Sequence, residues 1–337
     1  MSVSSAIYGC RGTALSDDER AFFRNACPWG FILFARNIAD PEQVRRLTAE
    51  LREAAGHEAP ILIDQEGGRV QRLRPPFWRA WPSGRTYGEI YERDAETGLF
   101  AVRLGAQLMA AELRHVGITV DCLPVLDVPV PGAHDVIGDR AYAEAPGPVA
   151  ALGLAAAEGL LSGGVLPVIK HMPGHGRAAV DSHKSLPVVD TPVEELRRVD
   201  FAPFHALRLM PLGMTAHVVY TALDPHAPAT TSATIIRNII RGEIGFEGLL
   251  MSDDLSMEAL RGTLGERARA SLDAGCDVVL HCNGKMAEME AVAREVPVME
   301  GEAYARSEVA LARRLELQAP FDVDMAYAKL GQLLGSA

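Results

Sequence analysis

The chain has 337 residues, of which 48% are hydrophobic and 23% charged, and its formal net charge is −11. This composition supports a large buried core and excludes the disordered and fibrous classes of protein. Nucleic-acid binders need clustered cations to neutralise phosphates, and no dense Lys/Arg stripe occurs here. The five cysteines show no CxxC spacing, which is typical of a reduced compartment.

Two segments were considered as a signal peptide and as a membrane span, and neither has the required pattern. The segment Met1–Gly9 has no basic stretch followed by an apolar run, so we predict no signal peptide and a cytoplasmic location. Residues 149–169 are apolar, but Glu158 and Gly163 interrupt them, which favours a helix, a turn and a strand over a membrane span. We expect no nucleic-acid or membrane partner, and a monomer or weak homo-oligomer.

Short apolar runs alternate with amphipathic segments along the whole chain. Nearly continuous hydrophobicity is typical of parallel strands that are covered on both faces. The predicted strands are Ala6–Gly9, Gly30–Phe34, Ile61–Asp64, Val120–Val125, Val165–Ile169, Gly213–His217, Leu249–Asp253 and Val278–His281.

Helix start and stop signals lie between these strands. Asp40 followed by proline predicts an N-cap with Pro at the first helical position. Thr191 followed by proline repeats that pattern, and Ser232 precedes four isoleucines at helical spacing. Gly275 fits a helix C-cap just before the last predicted strand.

Eight strands alternating with helices predict an α/β fold, a closed (β/α)₈ TIM barrel. No linker or composition shift marks a second domain, so we expect residues 1–337 to form a single catalytic domain. After about residue 284, the segments Met286–Val296 and Ala303–Leu315 are predicted to be helices packed on the outside of the barrel.

Active sites of such barrels lie at the carboxyl ends of the strands. Polar residues collect at that position on most of the predicted strands, more often than loop boundaries alone would explain. They are Asp64, Asp127, Lys170, His171, His217, Asp253 and His281.

The segment 170–183 is the densest in chemistry, with one lysine and three histidines around glycines. A zinc site also needs clustered histidines, but His171 and His175 lie on either side of Pro173-Gly174 rather than on one helical face. We therefore predict no metal.

Two further segments carry acids. The apolar strand before Asp253 and Asp254 places at least one carboxylate at the barrel mouth, where it could attack a sugar carbon or simply cap a helix. Asp64 opens a segment of acids and arginines around a glycine pair, which could bind hydroxyls or form a surface turn.

These segments together resemble glycoside hydrolase family 3, and within it the bacterial β-N-acetylglucosaminidases. The resemblance spans about residues 30–283. It is carried by four motifs in the family's order, namely Asp64-Gln65-Glu66-Gly67-Gly68-Arg69, Lys170-His171 with Pro173-Gly174-His175-Gly176, Asp181-Ser182-His183 and Ser252-Asp253-Asp254-Leu255-Ser256-Met257. The family's usual aromatic between histidine and proline is Met172 here.

The resemblance implies retention of configuration and removal of terminal N-acetylglucosamine without a cofactor. It implies that Asp253 is the nucleophile and His183 the acid/base, oriented by Asp181. It also implies a set of sugar-binding residues: Asp64, Arg72, Arg140, Lys170, His171 and His217. A histidine with an ordinary pKa of ~6.5 suits proton transfer near neutral pH.

The substrate implied by the resemblance is N-acetylglucosamine linked to anhydro-N-acetylmuramic acid, with or without peptide, in the recycling of peptidoglycan. Two alternatives remain open from the residues themselves. Phosphate could replace water as the acceptor, which would make the chain a phosphorylase. A non-catalytic sugar-binding barrel would keep Asp64, Arg72 and Lys170 but would need neither Asp253 nor His183.

Overall fold

The computed structural model describes residues 2–182, 185–314 and 322–335. Eight strands form its central barrel: β1 (Ser4–Gly9), β2 (Pro28–Leu33), β3 (Ile61–Ile63), β4 (Val120–Asp121), β5 (Leu166–Met172), β6 (Leu212–Thr215), β7 (Leu249–Asp254) and β8 (Val278–His281).

The barrel is closed, and neighbouring strands run parallel in the order β1-β8-β7-β6-β5-β4-β3-β2. Every residue of β2 and β5 is buried, because the barrel interior covers one face and helices cover the other. The predicted (β/α)₈ barrel is confirmed, and each of the eight predicted strands has a counterpart.

The fourth strand is shorter than its apolar run. It ends at Asp121, whereas the sequence predicts a strand to Val125. Pro124 has no backbone N–H to contribute to the ladder. Beyond the strand, β5 still donates to this segment, from Val168 N to Leu123 O at 3.0 Å and from Lys170 N to Pro124 O at 3.2 Å, and an isolated bridge joins Val125 to Lys170.

Helices surround the barrel. They are α1 (Asp17–Ala26), α2 (Pro41–Ala55), α3 (Gly84–Arg93), α4 (Ala95–His115), α5 (Pro146–Ser162), α6 (Val193–Val199), α7 (Phe201–Ala206), a π-helix (Ile235–Glu243), α8 (Leu264–Ala274), α9 (Met286–Ala293), α10 (Gly301–Arg313) and α11 (Val323–Gly335). Three 3₁₀ turns (Ala35–Asn37, Gly138–Arg140 and Ala229–Thr231) complete the set. None of the helices in the described ranges has both the length and the apolarity needed to cross a membrane.

Most predicted caps are present. Asp40 Oδ1 accepts a hydrogen bond from Gln43 N at 2.8 Å, and Gly275 ends α8 in the left-handed conformation at φ 116°. Ser232 Oγ accepts from Ile235 N at 3.1 Å. The cap predicted at Thr191 is wrong, because α6 begins after Pro192, whose carbonyl accepts the first amides of the helix.

A buried aspartate joins three elements at the amino end of the barrel. Asp277, just before β8, accepts hydrogen bonds from Arg241 Nη2 at 2.7 Å, Arg306 Nη1 at 2.8 Å and Leu250 N at 2.8 Å. These donors come from the π-helix, α10 and β7. The carboxylate therefore connects the last strands to their covering helices.

We expect Asp277→Ala to lower the free energy of unfolding by about 3 kcal/mol, because it leaves two guanidinium groups and a buried amide without their acceptor. Urea unfolding followed by circular dichroism measures the change. Asp273→Ala is the matched control, since Asp273 is exposed on α8, and it should shift stability by less than about 0.5 kcal/mol. Equal effects of the two variants would contradict the role given to Asp277.

Candidate active site

A cavity of about 150 Å³ opens at the carboxyl ends of the strands. Six of the residues predicted from the sequence line it. They are Asp64, Arg72, Arg140, Lys170, His171 and Asp253. The strand order explains this convergence, because residues far apart in sequence follow neighbouring parallel strands.

Lys170 lies at the base of this cavity and is 2% exposed. Its Nζ lies 3.0 Å from Asp64 Oδ1 and 2.6 Å from Glu66 Oε1. Burial alone would lower the pKa of Lys170, but the two carboxylates outweigh it and raise that pKa above its ordinary value. The ammonium group is therefore charged and held in place.

Two arginines complete the cluster. Arg140 binds Glu66 through both Nε and Nη2 at 2.8 Å, a bidentate pair. Arg72 Nη2 donates to Asp64 Oδ2 at 3.0 Å, while its buried Nε has no hydrogen-bond partner among the described residues. Burial would raise the pKa of Asp64 and of Glu66, but the neighbouring cations hold both pKa values well below normal.

Asp121 lies beside this cluster in β4. Its Oδ1 accepts from Gln65 N at 3.0 Å, and its buried Oδ2 has no partner in the described part of the chain. Burial raises the pKa of the Asp121 carboxyl well above its ordinary value.

A second group of polar side chains connects the loop after β4 to the end of β5. Asp127 Oδ2 lies 2.6 Å from His171 Nδ1, and its Oδ1 accepts from His175 N at 2.6 Å. This contact fixes the His171 ring against the cavity wall. Burial, reinforced by His171, lowers the pKa of His175 to about 4, so that ring is neutral near pH 7.

Asp253 is half-buried at the end of β7 and lines the same cavity. Its Oδ1 accepts from Asp254 N at 2.8 Å. Asp254 binds the following turn, since its carboxylate accepts from Ser256 N, Ser256 Oγ and Cys282 N. Both acids line the cavity, and the carboxylate of the second is in addition held by the turn.

Two of the strand-end histidines point elsewhere. His217 is fully buried, with Nδ1 2.7 Å from Thr230 Oγ1 and Nε2 3.0 Å from Asp254 O, and it is not among the cavity-lining residues. Its position suits support of the Asp254 backbone better than contact with a sugar. Leu280 and Cys282, the residues on either side of His281, both line the cavity. Side chains alternate along a strand, so His281 faces away from the cavity.

The segment after β5 carries the predicted acid/base. Asp181 is half-buried, and its carbonyl accepts from Ser185 N at 3.1 Å. Ser182 is buried, lines the cavity and lies 3.2 Å from His175 Nε2. His183 lies outside the described residues.

A buried ion pair attaches this segment to the neighbouring helices, and we call it the Arg177 clamp. Arg177 Nε donates to Asp200 Oδ2 at 2.7 Å, and Arg177 Nη2 lies 3.1 Å from Glu195 Oε1. Tyr220 Oη donates to the carbonyl of Gly174 at 2.6 Å. Gly174 has φ 138°, and a Cβ there would lie 2.9 Å from Asp200 Cβ. The clamp thus fixes the chain on its way to Ser182.

Sequence reasoning missed several members of the site. The sequence places Glu66 in a motif but assigns it no role. Glu66 is two residues after Asp64, and this spacing indicates that both side chains could face the same side. Asp121, next to a cysteine in β4, gave no signal distinguishable from a strand residue. Arg177 and Asp200 form a pair across 23 residues, which spacing alone cannot show.

The arrangement combines the charged donors and acceptors around Lys170 with two carboxylates at the end of β7, of which Asp254 is engaged by the following turn and by Cys282 N. Paired carboxylates and cations of this kind bind the hydroxyl groups of a sugar in a fixed orientation. Among the described residues, no group of three or more His, Cys, Asp or Glu side chains is arranged to hold a metal ion.

Comparison with known proteins identifies a close structural relative. The crystal structure of NagZ from Neisseria gonorrhoeae in complex with N-trifluoroacetyl-D-glucosamine superposes with a TM-score of 0.88 at 32% identity, covering 99% of both chains. The beta-hexosaminidase of Aromatoleum aromaticum is 40% identical over 93% of this chain and 88% of its own length. That of Methylococcus capsulatus is 43% identical over 81% of this chain and 80% of its own.

The family model for the glycosyl hydrolase family 3 N terminal domain matches residues 12–315. That match includes the whole cavity and all four motifs. The chain therefore belongs to glycosyl hydrolase family 3.

Proposed function

We propose that this enzyme is a retaining exo-β-N-acetylglucosaminidase that forms a covalent glycosyl ester on Asp253. One observation carries the proposal. Asp253 lines the same small cavity as a charge cluster in which Lys170 forms ion pairs with both Asp64 and Glu66. The cluster fixes a sugar ring, and the half-buried carboxylate on the rim is the group available to attack it.

Cavity size supports removal of one terminal sugar. The volume of about 150 Å³ is below the ~300–1,000 Å³ of pockets that enclose larger ligands. Arg72 Nε is a buried donor with no partner among the described residues. Arg72 also lines the cavity, and we assign a sugar hydroxyl as a partner of its guanidinium group.

The protonation states of the described residues narrow the choice of acid. Asp64 and Glu66 are held ionised by their cations, and His175 is neutral near pH 7. His171 is engaged with Asp127 at 2.6 Å. We assign the proton transfer to His183, which follows the cavity-lining Ser182 and has Asp181 two residues before it. His183 would protonate the leaving oxygen and then take a proton from the attacking water.

Relatives support the substrate class. The chain is similar to proteins named beta-hexosaminidase and to an enzyme solved with an N-acylated glucosamine. We propose N-acetylglucosamine β-linked to anhydro-N-acetylmuramic acid, with or without peptide, as the substrate, and peptidoglycan recycling in the cytoplasm as the role. The helices α9, α10 and α11 are proposed to belong to the same catalytic domain as the barrel.

Replacement of the nucleophile provides the first test. Asp253→Asn should reduce kcat for 4-nitrophenyl N-acetyl-β-glucosaminide on the order of 10³-fold or more, because an amide cannot form the glycosyl ester. N-acetylglucosamine should still bind, as measured by calorimetry. In the wild-type enzyme, a 5-fluoro N-acetylglucosaminyl fluoride should label Asp253, as read by peptide mass spectrometry. A label on another residue would rule out the assignment.

The acid is tested by the leaving group. His183→Ala should lower kcat/KM for the anhydromuramyl disaccharide about 100-fold, while 2,4-dinitrophenyl N-acetyl-β-glucosaminide, which needs little protonation, loses much less. The matched comparison is His171→Ala, which should affect both substrates alike through lost sugar binding. If the two variants exchanged these patterns, the His171–Asp127 pair would be the acid.

The Arg177 clamp generates a further prediction. Arg177→Ala should lower kcat/KM for the anhydromuramyl disaccharide about tenfold but change the dinitrophenyl glycoside little, because a displaced segment misplaces the acid more than the nucleophile. Arg198→Ala is the control, since Arg198 is 71% exposed and binds the other oxygen of the same Glu195. If kcat/KM fell by the same factor for both substrates, the Arg177 clamp would have only a structural role.

A further inference from the structure

The carboxyl end of β7, which carries Asp253, extends beyond the pairing of β7 with β6. In the described chain, the last residues that pair these two strands are Met214 and Met251. The strand β6 itself ends at Thr215. Asp253 therefore lies two residues past the last backbone pair on this side, where the β6 ladder no longer fixes the strand.

The pairing of β7 with β8 is irregular over the same residues. Met251 pairs with Val278. Asp254, three residues later on β7, pairs with Leu280, which is only two residues later on β8. An extra residue of this kind bends a strand and redirects its side chains. It explains why Asp253 and Asp254 both line the cavity, because consecutive side chains of a regular strand face opposite sides.

A side chain takes the place of the backbone partner on the β6 side. His217, two residues after the end of β6, has its Nε2 3.0 Å from the carbonyl oxygen of Asp254. A carbonyl oxygen only accepts hydrogen bonds, so Nε2 carries the hydrogen. On the β8 side, Ser252 Oγ accepts from Leu280 N at 3.0 Å. Side chains therefore hold β7 to both neighbouring strands at the point where the backbone ladder is interrupted.

The other ring nitrogen of His217 contacts a hydroxyl group. Nδ1 lies 2.7 Å from Thr230 Oγ1, and both side chains are completely buried. Burial lowers the pKa of His217, although the charge of Asp253 opposes this, so the ring is neutral near pH 7. A neutral ring with its hydrogen on Nε2 has an acceptor at Nδ1, and Thr230 is the donor to it.

A second hydroxyl group supports this direction of the hydrogen bonds. Thr230 Oγ1 lies 2.8 Å from Thr215 Oγ1 and 3.1 Å from the carbonyl oxygen of Ala216. If the one hydroxyl hydrogen of Thr230 goes to His217, Thr230 can accept from Thr215. If that hydrogen went to Ala216, the buried Nδ1 would lose its donor, or the ring would need a second hydrogen and a charge. Both alternatives are unfavourable in a buried site.

These contacts reach the nucleophile through one residue. Asp254 N donates to Asp253 Oδ1 at 2.8 Å, and the carbonyl of the same Asp254 is the group that His217 binds. The Asp254 carboxylate is held separately, by Ser256 N and Cys282 N. Residue 254 is thus fixed by its carbonyl and by its side chain, and its N–H binds a nucleophile oxygen in a set direction.

We propose that His217 is a positioning residue for the attack by Asp253. Its ring replaces a backbone donor of β6, holds the Asp254 carbonyl and so orients the amide that binds the nucleophile. This rests on the proposed function, in which Asp253 forms the glycosyl ester. The role replaces the sugar binding that the sequence predicts for His217, since the ion pairs around Lys170 orient the sugar.

Three variants separate the donor of His217 from the volume of its ring. His217→Leu removes the donor, His217→Gln can return an N–H to the Asp254 carbonyl, and Thr230→Val removes the hydroxyl that orients the ring. The rate constant at which the 5-fluoro N-acetylglucosaminyl fluoride labels Asp253 should fall on the order of 30-fold in His217→Leu and threefold in Thr230→Val. His217→Gln should recover most of the loss. If His217→Leu does not fold, as judged by circular dichroism, the loss in Thr230→Val carries the test.

Two further measurements distinguish positioning from sugar binding and from proton transfer. The Kd of N-acetylglucosamine, measured by calorimetry, should stay within about twofold of the wild-type value in His217→Leu. The loss in kcat/KM should be the same for the anhydromuramyl disaccharide and the dinitrophenyl glycoside, because both require attack by Asp253. A weakening of Kd that accounts for the whole loss would assign His217 to sugar binding and overturn the proposal.

His281→Leu is the matched control, because His281 is an equally buried histidine at the end of β8 and faces away from the cavity. It removes the same side chain one strand away, and it should leave the labelling rate and the Kd unaltered whatever its effect on Tm. Equal losses of labelling in His281→Leu and His217→Leu, or labelling of His217→Leu at the wild-type rate, would contradict the positioning role.

Heteronuclear NMR of the imidazole nitrogens separates failure of this proposal from failure of the proposed function. With isotope-labelled histidine, the His217 signals, assigned by their loss in His217→Gln, should show hydrogen on Nε2 and none on Nδ1 at pH 7. If the fluoro sugar does not label Asp253 in the wild type while this tautomer is observed, the proposed function fails and the contacts of His217 stand. If Asp253 is labelled but Nδ1 carries the hydrogen, only the positioning proposal fails.

Discussion

The ammonium group of Lys170 is the constraint around which the site is built. A charge that is 2% exposed inside a barrel is stable only if nearby anions replace the water it has lost. Asp64 and Glu66 supply them from the segment after β3, and each is bound in turn by an arginine. The resulting network holds three cations against two lining carboxylates.

This network also fixes the relation between distant parts of the chain. Glu66 Oε2 binds Arg140 across 74 residues, and Asp64 Oδ1 binds Lys170 across 106. The segment after β3, the loop after β4 and the strand β5 are thereby held together by charge as well as by packing. A sugar bound at this base is positioned by groups whose own geometry is fixed before it arrives, which is the condition for productive orientation at Asp253.

Much of the fold was predictable because eight apolar runs separated by capped helices leave few architectures open. The short fourth strand was not, since a run of hydrophobic letters does not show that Pro124 interrupts the ladder. The site was predictable in part. Motifs identified Asp64, Lys170 and Asp253. The direction of the His217 side chain depends on the residue at which the strand ends, because a shift of one residue turns a side chain to the opposite face of the sheet.

Interactions between residues that are distant in sequence also limit what the sequence can predict about the site. Asp200 has no motif of its own, yet it is buried against Arg177, and burial raises its pKa to about 6 against the opposing charge of Arg177. The ion pair needs the ionised carboxylate, so it is complete above this pKa and weakens as the pH falls below it. The segment that leads to the proposed acid is thus anchored by an ion pair that weakens as the pH falls below about 6.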